Sequence, residues 1–191
     1  MSKKILSILI LLTLCFIVNP PVSESRSKFI IEEPVYLKIN IHYQNNGKDS
    51  KASYANYTRP GAGHIILPVN SPVQIKKWGK GFIIVDAASG TEIFFEYNET
   101  RMQMSIEDYL SHITSASPVD LNKLSDKDRK GVKDGIASIG MTKDGVMMAL
   151  GYPATHKTPS PESNQWIYWA NRFKTIAVTF NDDGIVKEIT D

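Results

Sequence analysis

The stretch from Gly140 to Ile189 constrains the fold most, because a short helix with a firm stop is followed at once by strand-length segments with turn chemistry between them. Thr142 can cap the helix by accepting a first-turn amide hydrogen bond, and Asp144 sets negative charge near the positive end of the helix dipole. Val146, Met147 and Leu150 give one apolar face, Gly151 can take the left-handed conformation that ends a helix, and Pro153 forbids continuation. A helix of roughly two turns is marginal alone in water and needs packing to persist. After it, Ile176, Val178 and Phe180 alternate with Thr175, Ala177 and Thr179, the period of two of a strand with one buried face. Asn181, Asp182, Asp183 and Gly184 supply a hairpin turn, Ile185, Val186 and Ile189 a returning strand, and Trp166 to Ala170 a third strand linked through Asn171 and Arg172.

The set Gly140, Met141, Thr142, Val146, Leu150, Gly151 and Pro153, then Trp166 and Tyr168, then Val178, Phe180, Gly184, Val186 and Ile189, resembles the SmpA/OmlA (BamE-like) family of small outer-membrane assembly lipoproteins. The resemblance covers about residues 136–191 and implies a helix packed on a three-stranded antiparallel sheet and an envelope scaffolding role. Gly145 departs from the family pattern, which places Glu or Gln there.

The amino-terminal half reads differently. Val35, Leu37, Ile39, Ile41 and Tyr43 alternate as one strand, and short apolar segments bounded by Gly, Pro, Asn or Ser follow up to Tyr97. Strands at this spacing predict a small antiparallel barrel, and the run from Asn56 to Ile75 resembles bacterial barrels of the Src-homology-three type. Between the halves, Ser105 can cap a helix carrying Ile106, Tyr109, Leu110 and Ile113, with Asp108 at the capping-box position. A second helix starts at Ser125 and ends near Gly135, with Pro118 separating the two. With Leu121, Leu124 and Val132 needing cover, both helices are expected to dock on the carboxy-terminal sheet. The expected fold is thus α+β: a signal peptide over 1–25, a β-rich barrel-like domain over 26–100, a helical connector over 101–135, and a BamE-like α+β domain over 136–191.

Lys3 and Lys4 precede an uncharged run from Ile5 to Val18 that is shorter than the ~20 residues needed to span a bilayer, and small residues flank a cleavage point near Ser25. That pattern predicts export to the periplasm or cell envelope. Cys15, the single cysteine, follows Leu14 where a lipid-attachment signal places a small residue, so lipidation at Cys15 is not expected, and membrane association would be indirect or through an uncleaved leader. Of 22 basic and 20 acidic side chains only Lys3, Lys4 and Glu24 fall in that leader, which leaves a nearly neutral remainder with no overall field for nucleic acid.

Catalytic signatures are lacking. His42, His64, His112 and His156 show no metal-ligand spacing, no nucleophile elbow or phosphate loop is present, and Glu107–Asp108 and Asp182–Asp183 are neighbours that diverge in a helix or a turn. Lys76, Lys77 and Lys80 beside Trp78 read as a solvated loop tip. The sequence therefore points to a non-enzymatic protein without cofactor or metal that binds envelope proteins. Alternatives are a module for cell-wall polymer or peptide and an inhibitor of a secreted enzyme. Trp166, Tyr168, Trp169, Arg172 and Phe173 form the candidate partner-binding group, since both faces of their strand are large and apolar and aromatic and Arg side chains dominate binding hot spots.

Overall fold

The computed structural model describes residues 31–191 apart from the side chain of Glu32; the leader, Cys15 and the cleavage region near Ser25 lie outside the described residues. No described helix is long and apolar enough to cross a membrane. Strands β1 (Ile31–Leu37), β2 (Ile41–Asn45), β3 (Ser50–Ser53), β4 (His64–Leu67), β5 (Pro72–Trp78), β6 (Gly81–Asp86) and β7 (Glu92–Glu96) come first. Helices α1 (Glu99–Met102) and α2 (Ile106–Ile113), the two-residue strand β8 (Thr114–Ser115), and helices α3 (Asp126–Asp134) and α4 (Lys143–Leu150) follow. The chain ends in strands β9 (Gln165–Trp169), β10 (Thr175–Phe180) and β11 (Val186–Thr190).

The expected small closed barrel followed by a carboxy-terminal helix on three strands is not what forms. β1 to β8 make one eight-stranded sheet, ordered β4-β2-β3-β7-β6-β5-β1-β8 and curled into a half-barrel, and only about 20% of the molecule is helix. Nor is the sheet purely antiparallel, since β3 and β7 pair in parallel with Ser50 opposite Ile93 and Ser53 opposite Glu96. The alternation read as one strand from Val35 to Tyr43 breaks between β1 and β2. There the Lys38 amide donates to Ile113 O at 2.8 Å and the Asn40 amide to Met148 O at 2.8 Å, so the backbone leaves the ladder to bind α2 and α4.

Asn40 explains that break. It is wholly buried; its Nδ2 donates to Val132 O at 2.7 Å and Ala149 O at 3.2 Å, and its Oδ1 accepts from the Val69 amide at 3.0 Å. A buried amide must satisfy all its polar atoms. This one does so only where β2, α3, α4 and the loop after β4 meet. β4 is an edge of this sheet, and the end of α3 lies against it. At the end of α3, a Cβ on Gly135 would lie 2.2 Å from Ile66 Cδ1 and 3.1 Å from His42 Cε1.

Two apolar clusters form. One lies within the curl, where Phe82 stacks on Phe95 at 4.6 Å and Tyr109, Leu110 and Ile113 of α2 plug the open side. So α2 docks on the large sheet and not on the carboxy-terminal one, because its apolar stripe meets aromatic side chains of β6 and β7. The other cluster joins Val132 of α3 and Val146, Ala149 and Leu150 of α4 to Trp166, Tyr168, Val178 and Phe180, with Val69 of the large-sheet loop in its rim. Both α3 and α4 serve the two sheets at once, the smaller of which is β11-β10-β9.

The cap of α4 also resolves the odd Gly145. Thr142 Oγ1 accepts from the Gly145 amide at 3.0 Å, while the buried Asp128 of α3 accepts from the Thr142 amide at 2.8 Å and from Thr142 Oγ1 at 3.2 Å. A Cβ at position 145 would stand 2.0 Å from Asp128 Oδ1. Asp144 in the first turn thus supplies one carboxylate that a helix start favours and Asp128 of another helix a second, and Gly145 leaves the room Asp128 needs.

Candidate partner-binding face

Strand alternation splits the five candidate side chains. Trp166 and Tyr168 point inward, each 1% exposed, with the Trp166 indole donating to Pro161 O at 3.0 Å and the Tyr168 hydroxyl to Gly151 O at 3.1 Å. Burial pushes the Tyr168 hydroxyl well above its ordinary pKa. These two are core and cannot touch a partner. Trp169, on the other face of β9, is half-buried, with Lys157 Nζ 5.6 Å from its ring centroid. The outer edge of β9 is covered from within the chain: the amides of Thr58 and Arg59 donate to Trp169 O at 2.9 Å and Ala170 O at 2.8 Å, and Ile167 N donates to Thr158 Oγ1 at 2.9 Å. Added strands from a partner are thereby blocked along this edge.

Arg172 and Phe173 lie at the β9–β10 turn. Asn171 Oδ1 accepts from the amides of Phe173 at 2.9 Å and Lys174 at 3.1 Å, and the Ala170 amide donates to Lys174 O at 2.8 Å, so the turn is internally braced. Phe173 is nonetheless 81% exposed, and the Arg172 guanidinium covers its ring at 4.8 Å. An exposed aromatic on a braced turn is held ready for contact at little further entropic cost.

Neighbours that strand reading did not collect complete this face. Arg101 Nη1 donates to Tyr54 Oη at 2.9 Å, and the Tyr54 ring meets His156 edge-on at 6.2 Å. Burial first, then the positive charges of Arg101 and Lys157, push the His156 imidazole below its ordinary pKa. Burial, then Tyr54 and Glu96, raise the Tyr57 hydroxyl, against an opposing pull from Arg172 and Arg101. These residues come from the β3–β4 loop, α1 and the loops flanking β9, and only the fold brings them together.

Beside this face a polar cleft of about 260 Å³ is lined by residues including His42, Lys51, Ser53, Tyr54, Tyr57 and Glu96. The buried Ser53 Oγ in its wall has no hydrogen-bond partner. Both ring nitrogens of His42 are hydrogen-bonded. Its Nε2 is 2.8 Å from Ala149 O, which can only accept, so that nitrogen carries the hydrogen and Nδ1 accepts from His64 Nε2 at 3.0 Å. The ring centroids stand 5.2 Å apart, as expected for rings meeting nitrogen to nitrogen. Among the described residues no group of three or more His, Cys, Asp or Glu could hold a metal ion. Compared with protein-family models, curated proteins and solved structures, the chain matches none.

Proposed function

We propose that this chain is a non-enzymatic binding protein of the cell envelope that engages a protein partner through the β9–β10 turn and its surroundings. The observation that carries this reading is Phe173, 81% exposed on a turn braced by Asn171 and stacked by Arg172. Exposed aromatic and Arg side chains of this kind supply most of the binding energy where they are buried by a partner. The compartment is supported by the leader pattern from Lys3 to Ser25.

The double variant Arg172→Ser/Phe173→Ser removes side chains that contribute nothing to either core. Its stability should stay within about 0.5 kcal/mol of the parent, while the protein recovered with the parent chain from crosslinked envelopes should be lost. Retention of that protein by the folded variant would contradict the reading.

A second reading, a module that holds wall polymer or a peptide, is favoured by the polar cleft and its unpartnered Ser53 hydroxyl. It places the contact in a cleft whose lining excludes Arg172 and Phe173, so it expects the same variant to bind as the parent does.

A further inference from the structure

We propose that the partner presents an acidic polypeptide segment to this face, an inference that rests on the protein-binding reading above. Among the described residues Arg101, Lys157 and Arg172 form no ion pair with a carboxylate, so their charge is open to a partner. The three come from α1, the loop before β9 and the β9–β10 turn, and they share one neighbourhood. The His156 amide donates to Arg101 O at 3.0 Å, Lys157 follows His156 and reaches the Trp169 ring at 5.6 Å, and Trp169 O, three residues before Arg172, accepts from the Thr58 amide beside Tyr57, on which Arg101 and Arg172 both act. Of the nearby acids, Asp191 is engaged by Arg59, with its carboxyl held low chiefly by that hydrogen bond, and Glu96, which also acts on Tyr57, is one carboxylate against three cations. Three cations thus share one face, and complementary charge in a partner gives such a face both steering and specificity.

Lys157 Nζ lies 5.6 Å from the Trp169 ring centroid and the Arg172 guanidinium 4.8 Å from that of Phe173. A cation resting on a ring keeps its outward N–H donors free, and a carboxylate can accept from them while an apolar side chain packs on the rim of Phe173. Carboxylates alternating with apolar groups are a property of acidic peptide segments.

Fluorescence anisotropy of the full chain with labelled polyglutamate, polyglutamine and dextran sulfate tests the proposal. Polyglutamate should bind, polyglutamine should not, and raising salt from low to physiological strength should weaken binding several-fold. Arg172→Glu should weaken polyglutamate binding at least tenfold, whereas Lys123→Glu, an equal change of net charge on another element, should shift it less than twofold. Failure of polyglutamate to bind, equal binding of polyglutamine, equal effects of the two substitutions, or tight binding of dextran sulfate alone would each overturn the proposal. If polyglutamate fails while the Arg172→Ser/Phe173→Ser variant still loses its envelope partner, the acidic segment is wrong and the protein-binding reading stands. If that variant loses nothing either, both fall.

Discussion

Replacing Gly145 with alanine should destabilise the fold by about 3–5 kcal/mol, although the same change in an exposed helix interior would stabilise it by about 1 kcal/mol. The sign reverses because the new methyl would lie 2.0 Å from Asp128 Oδ1 and 2.5 Å from its Cγ. Asp128 cannot step aside cheaply. It is 1% exposed, and its carboxylate accepts from Thr142 N, Thr142 Oγ1 and Ser125 Oγ, the last at 2.8 Å. Overpacking costs about 1–3 kcal/mol, and disrupting hydrogen bonds to a buried charge adds a similar amount. Asp128→Ala alone should cost about 2–3 kcal/mol for the same bonds. The double variant should then cost about 1–3 kcal/mol less than the sum, because the two nearest atoms, Oδ1 and Cγ, have gone and only Cβ at 2.8 Å remains close to the methyl. Urea denaturation of the four proteins reads the cycle, and simple additivity would show that the carboxylate is not what reserves position 145 for glycine.

Stability should also fall as the pH drops from about 6.5 to about 4, through the burial of His42. Desolvation, opposed by the bond to Ala149 and aided by the nearby His64, lowers its pKa to about 4. A group that is harder to protonate in the folded state than in the unfolded one leaves stability intact above the unfolded pKa. Below it the unfolded chain takes up the proton first, and stability is lost until the folded pKa is reached. For this shift the loss is about 3 kcal/mol at the bottom of the window. His64, which burial also lowers, works in the same direction. The geometry supplies the cause, since His42 has both nitrogens occupied between His64 and the last turn of α4, with Gly135 closing over its ring. His42→Gln should be less stable than the parent at neutral pH but should lose much of the slope between pH 6.5 and 4. An unchanged slope would locate the acid sensitivity elsewhere.

Local chemistry was legible in the sequence wherever the partners are near neighbours. Thr142, Ser105 and Ser125 cap their helices, and β9, β10 and β11 form over the alternating residues, since caps, turns and strand periods depend on the residues beside them. Long-range assembly was not legible. Alternation carries through Lys38 to Asn40 without interruption, yet the ladder breaks there because Asn40 finds its partners on α3 and α4. Nothing in the short segment Ser50–Ser53 says that its neighbour will be parallel. Gly145 looked like a defect in a family pattern because Asp128, the residue it accommodates, belongs to a different helix.

The candidate site divides in the same way. Alternation along β9 separates Trp166 and Tyr168 from Trp169, but which side becomes core depends on where α4 lies. Arg172 and Phe173 stand out as turn residues, whereas Tyr54, Tyr57, Arg101, His156 and Lys157 carry no shared sequence signal, because they meet only after the half-barrel and the small sheet share α3 and α4.

The most direct test of a partner at this face is a photo-crosslinking amino acid placed at Phe173 and, in a separate variant, at Asp183 in the opposite turn of the same small sheet. Irradiation in intact cells should give one discrete protein adduct from position 173 and none from position 183. No adduct at 173, or the same adducts from both positions, would contradict the account.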